Sequence, residues 1–90
     1  MSIHNVSIII PCYKASATLR RAVASALTDA PSDIEILLVD DGSPDDTGVL
    51  CDKLAAADPR VTALHRENGG AGAARNTGLD AASGEWVLFL

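Results

Sequence analysis

Apolar and polar positions along the chain alternate between two periods. Val6-Ser7-Ile8-Ile9-Ile10 is a short apolar run that reads as a strand, ended by Pro11, which has no N–H to give to a central ladder. Leu19, Ala22, Val23, Ala26 and Leu27 then recur at the spacing of one helical face, with Ser16 ahead of them as a cap. Thr28 to Asp33, with Pro31, forms the loop back to the sheet. Ile34-Glu35-Ile36-Leu37-Leu38-Val39 has the pattern of a strand buried on both faces, and it runs straight into Asp40-Asp41-Gly42. Ser43 as N-cap, Pro44 at the first helical position and Asp46 closing a capping box predict a second helix, marked by Val49, Leu50, Leu54 and Ala57 and stopped by Pro59.

Val61-Thr62-Ala63-Leu64-His65 is a third strand, alternating enough to lie at an edge. A glycine-rich loop over 67–72 leads into an alanine-rich third helix, closed by Gly84. Glu85-Trp86-Val87-Leu88-Phe89-Leu90 is a fourth strand. The order β-α-β-α-β-α-β predicts an α/β fold with a parallel sheet and right-handed crossovers. Open sheets of this kind bind ligands at the carboxyl ends of their strands.

Composition narrows the picture. Ninety residues make one small domain, and 48% hydrophobic with 3% aromatic content means an aliphatic, alanine-rich core. A net charge of -5 argues against nucleic acid as a partner. Residues 1–5 lack the basic start and apolar run of a secretion signal, and no apolar stretch approaches the roughly 20 residues of a membrane span. Cys12 and Cys51 match no metal or redox spacing and read as small buried thiols of a cytoplasmic protein. Asn5-Val6-Ser7 fits a glycosylation sequon but falls on a strand in a chain without a secretion signal.

The candidate chemistry collects on one rim of the sheet. Asp40 and Asp41 end the second strand, as turn residues or as ligand contacts; a pair of carboxylates there needs partners or an open site. Tyr13, the only tyrosine, follows the first strand, either as a lid on the core or with its ring facing the crevice to stack on a planar group. Arg75 lies in the first turns of the third helix, where the helix dipole disfavours a cation. It fits there if an anion such as phosphate docks nearby, or if it pairs with Asp40, Asp41 or Glu67. His65 reads as a surface residue, with a ligand or base as the sharper alternative. Gly70-Ala71-Gly72 is a poor dinucleotide fingerprint: Arg75 takes the third glycine position and the loop follows the wrong strand.

Four stretches in order, Val6 to Lys14, Ile36 to Ser43, Asn68 to Gly78 and Gly84 to Leu90, resemble the opening of a family 2 glycosyltransferase with the GT-A fold. The resemblance covers essentially the whole chain. It implies a Rossmann-like three-layer sandwich with sheet order 3-2-1-4. It also implies sugar transfer with inversion from a nucleoside-diphosphate donor, commonly UDP-linked, to a glycan or lipid-linked acceptor. Pro11 and Tyr13 would line the base pocket, Asp41 or Asp40 would contact uracil or ribose, and Arg75 would lie near the base or the phosphates. Family members more often carry Asn where Lys14 stands.

The resemblance further implies an Asp-x-Asp motif just after Leu90 that holds Mg²⁺ or Mn²⁺ on the diphosphate, with the general base later still. Residues 1–90 therefore read as the truncated donor-nucleotide part of a domain of about 200 residues or more, inactive by itself. The parent protein would be cytoplasmic or at the inner face of the membrane. Trp86 to Leu90 would be left as an apolar edge prone to self-association.

Two other α/β readings fit less well. A receiver-like signalling module would place its acid pair after the first strand and an acid, not His65, after the third. A nucleotidyltransferase would carry a glycine-rich loop where Pro11-Cys12-Tyr13-Lys14 stands.

Overall fold

The computed structural model describes residues 5–28, 30 and 33–90. Residues 1–4 and part of the expected loop over 28–33, Pro31 included, lie outside them. Among the described residues the elements are β1 (Val6–Cys12), α1 (Leu19–Leu27), β2 (Ile34–Asp41), α2 (Thr47–Ala57), β3 (Val61–Arg66), α3 (Ala71–Ala81) and β4 (Trp86–Phe89). All strand pairs are parallel and the sheet order is β3-β2-β1-β4, as the family resemblance implied.

The sheet divides the interior in two, because strand side chains alternate between its faces. One face carries Ile8, Ile10, Ile36 and Leu38 against Leu19 and Val23 of α1 and Leu50 and Cys51 of α2. The other carries Ile9, Leu37 and Val39 against Ala74 of α3. Every residue of β2 is buried, which is why its sequence lacks a polar face.

Four local expectations need correction. Pro11 does not end β1; it sits in the strand, in register with Val39. The Ile9 carbonyl accepts from Leu90 on the β4 side, so Pro11, two residues on, turns its missing N–H to the same side, beyond the β4 register. Ser16 does not cap α1, which has Thr18 at its N-cap, while the Ser16 hydroxyl reaches Asp45. Ser43 does not cap α2, which starts at Thr47 with Asp46 at the N-cap position. The Ser43 hydroxyl instead accepts from the Lys14 N–H and donates to the Cys12 carbonyl, tying the ends of β1 and β2 together. The buried stripe of α2 is Thr47, Leu50, Cys51 and the half-buried Leu54, while Val49 is 57% exposed.

At the amino end of the sheet Glu35 is buried, although it sits within an apolar run. Its carboxylate accepts from the Ser7 hydroxyl (2.6 Å) and from the Ser83 N–H (2.7 Å) and hydroxyl (3.1 Å). The Gly84 N–H in turn donates to the Ser7 hydroxyl. A buried carboxylate is tolerable with donors of this kind around it.

Helix α3 lies directly on β1 at Gly78. A Cβ there would fall 2.5 Å from Ile9 Cγ2, and Ile9 is fully buried. In an open helix Gly→Ala would stabilise by about 1 kcal/mol. Here the overlap should reverse the sign, with Gly78→Ala losing about 1–3 kcal/mol in urea unfolding. A variant as stable as the parent would mean that α3 sits farther from the sheet.

Candidate functional site

The carboxyl ends of β1, β2 and β3 form one rim. Parallel register sets Asp40 beside His65 and Asp41 beside Arg66. Because adjacent strand residues point to opposite faces, the two acids serve different elements.

Asp40 points to the α2 side. Its Oδ1 accepts from the Ser43 N–H (3.1 Å) and its Oδ2 lies 3.0 Å from His65 Nδ1. The other ring nitrogen, Nε2, lies 2.8 Å from Asp52 Oδ1 on α2. Helix α2 passes this close because residue 48 is glycine; a Cβ there would fall 2.6 Å from Asp40 Oδ2. Burial alone would raise the Asp40 pKa, but the bonds from His65 and Ser43 outweigh it and hold the carboxyl below its ordinary value. Hydrogen bonding to Asp40, then to Asp52, holds His65 above the ordinary histidine value against a smaller effect of burial.

Asp41 points to the α3 side. Its carboxylate accepts from the Gly69 N–H (3.1 Å) and the Gly70 N–H (2.9 Å), at the start of α3. The protein's own carboxylate thus occupies the positive end of that helix, where a ligand anion was anticipated. The cation beside Asp41 is Arg66, with Nε 3.2 Å from Oδ1, and not Arg75. Arg66 also donates to the Glu67 and Ala73 carbonyls and to the Thr77 hydroxyl, latching the glycine-rich loop to α3. The Arg75 guanidinium lies over the Phe89 ring, 5.9 Å from its centroid.

On β1, Pro11 is half-buried and Tyr13 is 46% exposed, so the ring is no lid on the core. The Lys14 ammonium sits 5.5 Å from the Tyr13 ring centroid. Lys14 has φ of 51°, a left-handed conformation that asparagine tolerates better than lysine. The asparagine that the family resemblance favours at this position therefore has a backbone reason. Beneath the rim the Cys12 and Cys51 thiols are buried, with the Cys12 thiol donating to the Ile10 carbonyl (3.2 Å); the neighbouring Cys51 thiol and burial push Cys12 far above the ordinary thiol range.

The rim thus brings Pro11, Tyr13, Asp40 and Asp41 together, with Arg75 set apart on α3 against β4. Sequence reasoning passed over Arg66 and Thr47; His65 is exposed, as a surface reading has it, but its two carboxylate partners were not foreseen. The legible signal was a basic pair, His65-Arg66, ending the strand next to one that ends in an acidic pair.

The sequence matches the model described as Glycosyl transferase family 2 over residues 7–90. The chain belongs to this family. It is 42% identical over 85 residues to the uncharacterized glycosyltransferase EpsJ of Bacillus subtilis, covering 94% of this chain and 25% of that protein. It is likewise 42% identical over 86 residues to the glycosyltransferase GlyG of Streptococcus pneumoniae, covering 94% of this chain and 29% of the relative. The crystal structure of S. aureus TarS superposes with a TM-score of 0.84 at 31% identity, over 96% of this chain and 16% of that one. This member of glycosyltransferase family 2 therefore spans about a quarter of the length of the first two relatives.

The linked shifts of His65 and Asp40 report one interaction and fix the direction of its pH dependence. A raised histidine pKa gives stability that is complete below the unfolded value of about 6.5 and is lost as pH rises through the folded value. A lowered Asp40 pKa gives stability that is present above about 3.9 and is lost as pH falls through the folded value. The urea midpoint should therefore decline above pH ~6.5 in the native chain but not in His65→Gln. An identical decline in both would show that the contact adds no stability.

Proposed function

We propose that this chain forms the donor-nucleotide part of a glycosyltransferase that moves a sugar from a UDP-linked donor to an acceptor hydroxyl with inversion. One observation carries the reading. In a family 2 chain, an exposed aromatic ring at Tyr13 and the Asp40–Asp41 turn share one rim at the carboxyl ends of β1 and β2. Family membership removes the reason for a receiver-like signalling reading.

In this proposal the uracil ring stacks on Tyr13 beside Pro11. Each carboxylate oxygen has more than one lone pair, so Asp41 or Asp40 can accept from the base or ribose while keeping its internal donors. Arg75, exposed on α3, is assigned to the anionic part of the donor. The acceptor is a glycan or a lipid-linked glycan. No helix among the described residues is long and apolar enough to cross a membrane.

The family resemblance implies Mg²⁺ or Mn²⁺ on the diphosphate. The described residues do not fit it: no group of three or more His, Cys, Asp or Glu among them is placed to hold a metal. Asp40 and Asp41 already face N–H donors. The role of these residues is to bind and orient the nucleotide.

The test is a UDP titration of the 90-residue chain followed by amide NMR, with and without Mg²⁺. Shifts should cluster at Tyr13, Asp40, Asp41 and Arg75 and be the same with the metal. A folded spectrum that UDP leaves unchanged at millimolar concentration would overturn the donor-site reading.

The same chain should self-associate through β4. It lies at the edge of the sheet with Trp86 68% exposed and Leu88 and Phe89 also exposed, and open apolar edges pair with other chains. Sedimentation equilibrium should show dimers or larger species; a strict monomer at high micromolar concentration would rule this out.

A further inference from the structure

We propose that His65 is a positioning residue of the nucleotide site: with its ring protonated it clamps α2 to the ends of β2 and β3, and so sets both walls of the rim. This rests on the donor-site reading above.

The ring has a carboxylate on each nitrogen, Asp40 at 3.0 Å and Asp52 at 2.8 Å. An imidazolium donates to both; a neutral imidazole has one N–H, so one contact becomes a lone pair against a carboxylate. The groups facing the ring are Asp40 from β2 and Asp52 from α2, with the Cys51 thiol of α2 close enough to feel its charge. Gly48 of α2 also packs beside it, while Arg66, next on β3, turns to the other face of the sheet.

Exposure decides which contact fails first. The Asp52 side chain is 65% exposed and can turn into water, whereas that of Asp40 is 10% exposed and cannot. Loss of the ring proton therefore releases the Asp52 link between α2 and the end of β3, leaving α2 held there by the packing of Leu50 and Cys51.

Helix α2 in turn holds both sides of the rim. The buried Thr47 hydroxyl at its start accepts from the Ala15 N–H (2.9 Å), fixing the chain just after Tyr13 and Lys14. Gly48 lies against the Asp40 carboxylate, which holds the Ser43 N–H, and the Ser43 hydroxyl receives the Lys14 N–H. A shift of α2 thus reaches the Tyr13 loop and the Asp40–Ser43 turn together. The protonated ring also offsets one acid of a rim that must accept an anionic ligand.

The experiment measures UDP affinity of the 90-residue chain from pH 5.5 to 8.5, with the His65 ring titrated in the same samples by NMR. The native chain should lose about two- to fivefold in affinity through the midpoint of the ring, the size of one exposed charge pair. His65→Gln should stay at the weaker level throughout, apart from the ionisation of UDP itself. Asp52→Asn should lower the ring midpoint and carry the binding midpoint down with it, which keeps the test available if His65→Gln fails to fold. Native affinity that stays constant while the ring titrates would overturn the proposal, as would an Asp52→Asn chain in which the ring midpoint moves and the binding midpoint does not. UDP binding with either result leaves the donor-site reading standing. A folded native chain that binds no UDP at any pH would remove that reading and this one with it.

Discussion

The structure turns on the register between β2 and β3, which sets Asp40-Asp41 opposite His65-Arg66. Two acids side by side at the end of a buried strand would repel each other and lose hydration. Strand alternation sends them to opposite faces, and the neighbouring strand supplies one base to each. Slipping this register by one residue would put each acid beside the wrong partner, so the electrostatic pairing and the apolar pattern of β2 specify the same alignment.

Each pair then organises one half of the rim. The Arg66–Asp41 half shapes the glycine-rich loop, whose N–H groups converge on the carboxylate before α3 begins. The His65–Asp40 half sets α2, and through Thr47 and Ser43 the chain after β1. Neither half is a site by itself. Together they hold a shallow rim in which Tyr13 remains exposed while the polar groups around it have fixed partners.

The fold was legible because its signals are local and repeated. Apolar runs such as Ile34–Val39 and stripes such as Leu19–Val23–Leu27 differ in period, and their alternation leaves few topologies. The errors at polar residues share one physical source, competition for the side chain by partners distant in sequence. Ser43 has the form of a helix cap, yet its hydroxyl bonds the end of β1 at Cys12 and the Lys14 N–H just beyond it, 31 and 29 residues away. Arg75 near a helix start fits a docked anion or, as the alternative, an ion pair with Asp40, Asp41 or Glu67, but the parallel register delivers Arg66 to Asp41. Glu35 lies within the run read as a buried strand, and its donors Ser7 and Ser83 lie 28 and 48 residues away. No local pattern encodes such contacts. The acidic and basic pairs at adjoining strand ends are the exception, since the strand order alone brings them together.

The Glu35 cluster has a consequence at the opposite end of the sheet. β4 is short and its apolar side chains are largely exposed, so burial does little to choose among neighbouring alignments with β1. The Gly84 N–H on the Ser7 hydroxyl and the Ser83 N–H on Glu35 mark one alignment by hydrogen-bond geometry instead. The Ser7–Glu35 bond closes 28 residues and the Ser7–Gly84 bond closes 77, so the second closure costs only about 0.9 kcal/mol more chain entropy. Three polar side chains at the quiet end of the molecule thus act as an index mark. They let the last strand find its place by counting from Ser7, whatever later comes to lie against its outer edge.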